Sequence, residues 1–447
     1  MRKIRYWIRF LHAFLTKFKF IFLGGIIVGV LFFTVVPKIT GLFLPFTRGD
    51  SVGYVGRYSP DELPLSILVE VSSGLTRLTD KNEIAPALAE SWETLEEGKV
   101  WIFRLGDYKW QDGTGVVAKD INYSFSDVTS EIIDEKTVKF VLKDPFSPFP
   151  SVMIKPVFKK GFLGTGVWKV SKITLASGGR FVESLKLINT QTLQVKTYRF
   201  YPTEETARTA FKLGEVGQLR DIVETREIKD WKTVDMTEHS RSDLYVAVFI
   251  NNQDLDLTDK SLRQALAYAI DKDAFGKKRA IGPISPNSWA FNPQVKQYSY
   301  NPARARELLK SLPKEQKEKL TIKLVTTPTL LSIADKIKAD WEAVGIKTQV
   351  QVSNSPPGDF QTMLAIQEIP PDPDQYSFWH STQSSSNITN YRNSKESQRI
   401  DKLLEEGRTT LDQESRKQIY IDFQRFLVED SPIIFLYHPT TYTVVKK

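Results

Sequence analysis

The chain has 447 residues, which is enough for two or three domains with sizeable cores. Its net charge of +8 comes from the first 49 residues, which hold eight basic and no acidic side chains, so residues 50–447 carry 53 charges of each sign and a nucleic-acid-binding face is excluded. The absence of cysteine excludes disulfides, zinc–thiolate sites and thiol catalysis.

An uncharged apolar stretch follows the basic start of the chain. Residues 20–37 have no charged side chain, and their length is at the short end of what spans a bilayer as a helix. The basic residues before them predict a cytoplasmic start. We therefore expect a basic cytoplasmic segment over 1–19, a single-pass transmembrane anchor over 20–37 and a linker over 38–56, with the body extracytoplasmic. A cleaved signal peptide is the alternative, although no A-x-A-like cleavage site follows.

Strand patterns dominate the next region, up to about residue 245. VWIFRLGDYKW (100–110) and TVKFVLK (137–143) alternate apolar and polar residues, which predicts strands. VAKDINYSF (117–125) predicts a short helix. TEETARTAFKLGEVGQL (203–219) predicts another helix, whose apolar face consists of Ala207, Ala210 and Phe211.

Longer helices alternate with strands after residue 245. Residues 244–252 predict a buried strand, and residues 258–275 predict a helix capped by Thr258 or Asp259. Asn301 followed by Pro302 predicts the start of the next helix. The remaining predicted elements are strands over 346–352 and 431–438 and helices over 331–345, 397–412 and 414–430. Strands interleaved with helices over about 400 residues predict an α/β protein of two lobes.

Seven segments in a fixed order carry a likeness to a known family. They are SSGLTRLTDKNEIAPALAESWE (72–93), WIFRLGDYKWQDGTGVVAKDINYSF (101–125), GTGVWKV (164–170), FINNQDLDLTDKSLRQALAYAID (249–271), YNPARARELL (300–309), AVGIKTQVQV (343–352) and DPDQYSFWHS (372–381). Together they resemble the family 5 extracellular solute-binding proteins, the oligopeptide- and dipeptide-binding components of ABC importers.

The resemblance implies a fold class and a division into lobes. The fold is α/β and two-lobed, periplasmic-binding-protein-like, of type II and in the peptide-binding cluster. Lobe I is expected over 57–245, with a reduced subdomain at about 125–163. Lobe II is expected over 246–436, and a C-terminal return toward lobe I over 437–447.

The resemblance also implies where a ligand binds. PDPDQYSFWHSTQ (371–383) follows the lobe II strand that lies beside a bound peptide, so main-chain hydrogen bonds to the ligand are expected from Ala365, Ile366 and Gln367. Peptide-binding relatives hold the peptide's amine with an aspartate three positions before the Asp-Pro-Asp pair. This chain has Ile369 at that position, beside Glu368. Either Glu368 binds the peptide's amine in place of the aspartate, or the ligand has no free N-terminus.

The residues after that strand have competing interpretations. Asp372 and Asp374, separated by a proline, suit a structural turn, a ligand contact or, least well, a catalytic carboxylate pair. His380 suits a polar lining of the cleft or a metal ligand, but no paired-histidine spacing favours a metal. Tyr376 and Trp379 are candidates for either the cleft or the core.

Three further residues are candidates for the cleft. Trp289, in GPISPNSWAF (282–291), is either a cleft residue or plain packing. Asn251 ends an apolar strand at the expected hinge, where its amide needs backbone or ligand partners. Glu62, in RYSPDELP (57–64), is a candidate for the rim.

The function that the resemblance implies is binding without catalysis. The chain is expected to be a monomeric, membrane-anchored substrate-binding protein of an ABC importer that takes up peptides or peptide-like solutes without a cofactor or a metal. Its expected partners are the ligand, a permease and the lipid bilayer through residues 20–37, and no nucleic acid. The alternatives are a metal-dependent hydrolase that uses Asp372, Asp374 and His380, and a signalling or envelope-binding protein that kept the lobes without transport.

Overall fold

The computed structural model describes residues 17–18, 50–79, 82–225, 228–313, 320–353 and 358–447. The anchor expected over 20–37 lies outside these residues. No helix within the described ranges is long and apolar enough to cross a bilayer. The end of the segment expected to be a linker is instead a strand, since residues 50–55 pair with two other strands.

The elements are numbered in chain order. The strands are β1 (Asp50–Val55), β2 (Thr76–Leu78), β3 (Ile84–Pro86), β4 (Ala89–Leu95), β5 (Val100–Leu105), β6 (Val128–Ile132), β7 (Thr137–Leu142), β8 (Trp168–Leu175), β9 (Val182–Asn189), β10 (Val195–Tyr201), β11 (Gln218–Ile222), β12 (Val234–Ser240), β13 (Leu244–Ile250), β14 (Thr321–Thr326), β15 (Lys347–Val352), β16 (Thr362–Glu368), β17 (Ile433–Tyr437) and β18 (Thr440–Lys446). The α-helices are α1 (Leu65–Val71), α2 (Phe149–Val152), α3 (Glu204–Leu213), α4 (Lys260–Ala269), α5 (Pro302–Lys310), α6 (Leu331–Ala343), α7 (Tyr376–Trp379), α8 (Lys395–Thr409) and α9 (Gln413–Asp430). Short 3-10 turns cover Pro60–Glu62, Glu96–Gly98, Ala118–Asp120, Asp273–Phe275 and Pro328–Leu330.

The main sheet of lobe I has seven strands in the order β12-β18-β11-β1-β10-β9-β8. β1 lies inside this sheet, parallel to both β10 and β11. β18 returns from lobe II and pairs antiparallel with β11 and β12. The apolar face predicted for α3 is confirmed, because Ala207, Ala210 and Phe211 are all buried against this sheet.

A second sheet of lobe I, in the order β4-β5-β7-β6, forms with α2 what we call the small subdomain. The prediction of a helix over 117–125 is wrong, because only the 3-10 turn at Ala118–Asp120 forms there. Beyond that turn, the hydroxyl of Tyr123 donates to the main-chain oxygens of Met153 and Lys155. These tertiary hydrogen bonds fix an extended chain where the local pattern favoured a helix.

Lobe II is built on a five-stranded sheet in the order β15-β14-β16-β13-β17. The predicted helices flank it, and both predicted caps are confirmed. The carboxylate of Asp259 accepts the N–H of Leu262 at 2.9 Å, and the side-chain oxygen of Asn301 accepts the N–H of Arg304 at 2.9 Å. One large apolar core covers both faces of this sheet.

The described chain crosses between the lobes twice, between β12 and β13 and between β17 and β18. The two crossings are joined, since the N–H of Arg241 donates to the carbonyl of Pro439 at 2.9 Å. The guanidinium of Arg241 binds Asp243 within the crossing and Asp221 of lobe I. Arg241 thus ties both crossings to the lobe I sheet.

The ammonium of Lys272 is buried in the lobe II core. Its Nζ donates to the main-chain oxygens of Ala267, Ile270 and Tyr298. Removal from water disfavours the charged form, and burial lowers the pKa of Lys272 from 10.5 to about 7. The folded chain therefore releases a proton that the unfolded chain keeps.

This difference predicts a pH dependence of stability. Between about pH 7 and pH 10 the unfolded state binds more protons than the folded state, so the free energy of unfolding rises with pH. We expect the wild-type chain to gain about 1 kcal/mol per pH unit relative to Lys272→Met between pH 7.5 and pH 9. Denaturant unfolding measures this, with Lys402→Met at an exposed lysine as the control. Parallel pH profiles for the wild-type and Lys272→Met chains would contradict the prediction.

Candidate functional site

The strand β16 has an open edge in the sheet of lobe II. On one side it pairs with β13 along its whole length, from Thr362 opposite Ile250 to Glu368 opposite Leu244. On the other side β14 pairs only with residues 362–364. Among the described strands, none covers this side of residues 365–368, although the carbonyl of Glu368 accepts the side-chain amide of Gln367 at 3.0 Å.

The hydrogen bonds of the antiparallel ladder show which groups point outward. The N–H of Ile369 donates to the carbonyl of Asp243 at 2.8 Å, and the N–H of Asn251 donates to the carbonyl of Gln361 at 3.0 Å. Odd-numbered residues of β16 therefore direct their N–H and C=O groups toward β13. The even-numbered residues Ile366 and Glu368 direct theirs toward the open edge.

The alternating direction of the main-chain groups along β16 divides the residues expected to bind a ligand into two sets. Ala365 and Gln367 direct their main-chain groups into the sheet, whereas Ile366 faces the open edge together with Glu368. The side chains of Ile366 and Glu368 are exposed on one face of the strand, with Ile366 at 48%. The side chain of Ile369 is buried in the lobe II core, so Glu368 is the acidic side chain next to the open edge.

The two aspartates that follow β16 form a turn held by arginines. Asp372 accepts two hydrogen bonds from Arg416, at 2.9 and 2.5 Å, and Asp374 accepts two from Arg408, at 3.1 and 3.0 Å. Asp372 also accepts the N–H of Asp374, and Asp374 that of Tyr376, as in Asx turns. These contacts match the structural-turn interpretation, one of the three that the sequence left open.

The electrostatics of the two pairs differ. Burial alone lowers the pKa of Arg416, but the charge and hydrogen bonds of Asp372 outweigh it, and the net pKa is raised. Burial raises the pKa of Asp374, and the opposing effect of Arg408 is smaller. Arg416 therefore keeps its charge, while Asp374 takes up a proton more readily than an ordinary aspartate.

Tyr376 lies in a column of stacked groups that reaches lobe I. Its ring centroid is 4.0 Å from the guanidinium of Arg408 and 4.0 Å from the parallel ring of His380, so it lies between them. Arg408 also lies 5.0 Å from the ring of Phe146, in the small subdomain. The N–H of Ser147 donates to the carbonyl of Arg408 at 2.8 Å. The small subdomain therefore docks on the C-terminal end of α8.

Trp379 and His380 are buried in lobe II. Trp379 belongs to the core, and its Nε1 has no hydrogen-bond partner among the described residues. The two ring nitrogens of His380 contact the hydroxyl of Thr382 at 2.8 Å and the carboxylate of Glu405 at 3.2 Å. Within the described ranges, no group of three histidine, aspartate or glutamate side chains could hold a metal ion.

Asn251 and Glu62 occupy different surroundings. The amide of Asn251 has protein partners, since it donates to the carbonyl of Phe360 and accepts from Gln253 and Asn390. Glu62 is exposed at the end of a 3-10 turn, where its carboxylate accepts the hydroxyl of Ser59 at 2.9 Å. A ligand contact by either residue stays a prediction.

Trp289 lines a cavity of about 540 Å³ between the small subdomain and lobe II. Trp92 and Trp101 line it from β4 and β5, while Leu411 and the Asp372–Arg416 pair line it from lobe II. Trp92 and Trp101 are not among the site residues predicted from the sequence. Pairing of Trp92 with Phe103 and of Thr94 with Trp101 places both tryptophans on one face of the sheet.

Comparisons with known proteins agree on the architecture. The dipeptide-binding protein of Escherichia coli (strain K12) is 25% identical over 485 residues, covering 90% of this chain and 88% of that protein. The crystal structure of NikZ from Campylobacter jejuni in complex with Ni(L-His) matches with a TM-score of 0.72 and 24% identity, covering 89% of this chain and 94% of that one. AppA from Bacillus subtilis, in complex with a nonapeptide, matches with a TM-score of 0.69 and 20% identity, with the same coverage.

These structural matches show the two-lobed α/β fold of the periplasmic binding proteins. The sequence profile described as "Bacterial extracellular solute-binding proteins, family 5 Middle" matches residues 83–390, which is more than half of the chain. The chain therefore belongs to the family 5 bacterial extracellular solute-binding proteins.

Proposed function

We propose that this protein binds peptides or peptide-like solutes between its lobes as the extracytoplasmic component of an ABC importer. The open edge of β16 carries the proposal. Ile366 offers an outward main-chain donor and acceptor, and Glu368 an outward donor, where no described strand pairs with β16. An extended peptide is the ligand whose own main chain satisfies such an edge. The names of relatives add support, since one is a dipeptide-binding protein and another was crystallised with a nonapeptide.

Glu368 is the residue that we assign to a cationic end of the ligand. Its carboxylate is exposed beside the open edge, whereas Asp372 and Asp374 already bind arginines. A carboxylate within about 4–6 Å favours the charged form of an amine. Hydrolysis has less support, because the carboxylates and the histidine that it needs are all in contact with other side chains.

Residues 20–37 are proposed to anchor the protein in the membrane by a single helix, with the lobes on the extracytoplasmic side. Closure of the lobes over the ligand would then present a defined surface to a permease. The proposed boundaries between the lobes lie near residues 245 and 437, where the chain crosses from one sheet to the other.

Ile366→Pro tests the main-chain contact directly. Proline removes the N–H that points to the open edge, and the ladder to β13 does not use that N–H. Loss of one main-chain hydrogen bond costs about 1–2 kcal/mol, so the affinity for tetra-alanine should fall by about 5- to 30-fold. Isothermal titration calorimetry on residues 50–447 measures the affinity.

Ile366→Ala is the matched control, because it removes the same side chain and keeps the N–H. It should bind tetra-alanine within about threefold of the wild-type affinity.

Glu368→Gln should lower the affinity for tetra-alanine, whose amine is charged, and leave the affinity for N-acetylated tetra-alanine unchanged. Wild-type affinity in Ile366→Pro would exclude the strand-addition contact. A wild-type chain that binds no member of a peptide pool would refute the proposed ligand class.

A further inference from the structure

The cavity between the small subdomain and lobe II has the size and walls of a binding pocket. Its volume of about 540 Å³ falls within the range of roughly 300–1,000 Å³ that is usual for small-molecule pockets. Indole rings line it from both lobes, with Trp92 and Trp101 in lobe I and Trp289 in lobe II. Such walls favour a flat apolar group, which gains both burial and ring-to-ring contact.

Three charged residues line the cavity: Asp372 and Arg416 are paired with each other, and Glu83 is exposed on the side of lobe I. Arg416 uses its guanidinium on the carbonyl of Gly407 and on both oxygens of Asp372. Because the side chains of this pair are 7% and 12% exposed, they leave no net charge at this wall of the cavity. Arg416 also lies 5.6 Å from the ring of Trp289 and so supports that wall. An uncharged occupant therefore suits the wall formed by Trp289 and the Asp372–Arg416 pair better than a charged one.

The cavity lies within reach of a ligand bound to β16. Asp372 is four residues beyond Glu368, so their Cα atoms are at most about 14 Å apart. An extended peptide advances about 3.3 Å per residue, and about four residues cover that span. A short peptide bound along the open edge can therefore place one side chain in the cavity.

We propose that this cavity is a selectivity subsite that takes an aromatic side chain of the ligand bound along β16. The proposal rests on the function proposed above and specifies the ligand class. The aromatic ring enters between walls supplied by the two lobes, so the subsite is complete only while the small subdomain is docked on lobe II. The protein therefore selects peptides by the position of one aromatic residue.

A positional scan tests the subsite. Tetra-alanine and its four single-phenylalanine derivatives are titrated calorimetrically into residues 50–447. At least one derivative should bind the wild-type chain ten or more times as tightly as tetra-alanine. Trp92→Ala removes a wall of the cavity, and Ser151→Phe fills the cavity. In both variants, the affinity for that derivative should be less than threefold the affinity for tetra-alanine. Trp231→Ala, at an exposed tryptophan outside the cavity, should keep the full ratio.

Each outcome separates this inference from the broader function. Equal binding of all five peptides to the wild-type chain would overturn the subsite and leave peptide binding intact. A wild-type preference that persists in both cavity variants would also overturn it, because another site would then select the ring. If none of the five peptides binds the wild-type chain, the function proposed above fails and the subsite fails with it.

Discussion

Replacement of Asp372 by alanine is expected to lower the free energy of unfolding of lobe II by about 3–5 kcal/mol, the usual cost of leaving one member of a buried ion pair without its partner. Arg416 would keep its charge, because no other carboxylate contacts its guanidinium among the described residues. Its side chain is only 7% exposed, so little of it contacts water that could compensate for the loss of Asp372. Guanidinium unfolding followed by tryptophan fluorescence measures the loss.

The exposed pair between Arg304 and Glu307 gives a matched control. Its atoms are 2.7 Å apart, but its side chains are 45% and 65% exposed, so Glu307→Ala should cost no more than about 1 kcal/mol. The double variant Asp372→Leu with Arg416→Met should recover most of the loss, since it removes both charges together. Equal losses in Asp372→Ala and Glu307→Ala would show that burial does not set the strength of the first pair.

Arg408→Ala is expected to release the small subdomain from lobe II and to destabilise the chain by about 3 kcal/mol at pH 7.5. The change removes the cation between Phe146 and Tyr376 and leaves the buried Asp374 without its counter-ion. Protonation removes that uncompensated charge, and burial already raises the pKa of Asp374. The cost of the change should therefore be smaller at pH 4.5 than at pH 7.5.

Hydrogen exchange at Ser147 reports the docking separately from global stability. Its N–H donates to the carbonyl of Arg408, so protection of that amide should fall in Arg408→Ala under native conditions. Lys402→Ala, at an exposed position on the same helix, serves as the control and should preserve the protection. Unchanged protection of Ser147 in Arg408→Ala would mean that the small subdomain is held by other contacts.

The sequence predicted lobe II well where local signals and packing agree. Asp259 and Asn301 cap their helices as expected, because capping depends on residues within one turn. Ile337 and Trp341 are buried on α6, which lies within the helix predicted over 331–345. The helix expected over 117–125 failed for the opposite reason, since the distant main-chain acceptors at Met153 and Lys155 decide its conformation.

The site was less accessible to sequence reasoning, because its contacts join distant parts of the chain. The phase of the hydrogen bonds on β16 depends on its partner β13, so the pattern alone could not separate Ile366 from Ala365 and Gln367. The arginines that hold Asp372 and Asp374 lie 44 and 34 residues further along. Gly164, in the segment GTGVWKV, is a further example, because a Cβ there would collide with the main-chain oxygen of Val71.

The position of β1 decides which lobe a tether would hold. This strand lies between β10 and β11 in the lobe I sheet, and residues 1–49 lead directly into it. If residues 20–37 form the proposed anchor, the tether attaches to lobe I, and lobe II is connected to the membrane only through the two crossings. Closure would then move lobe II relative to the tethered lobe.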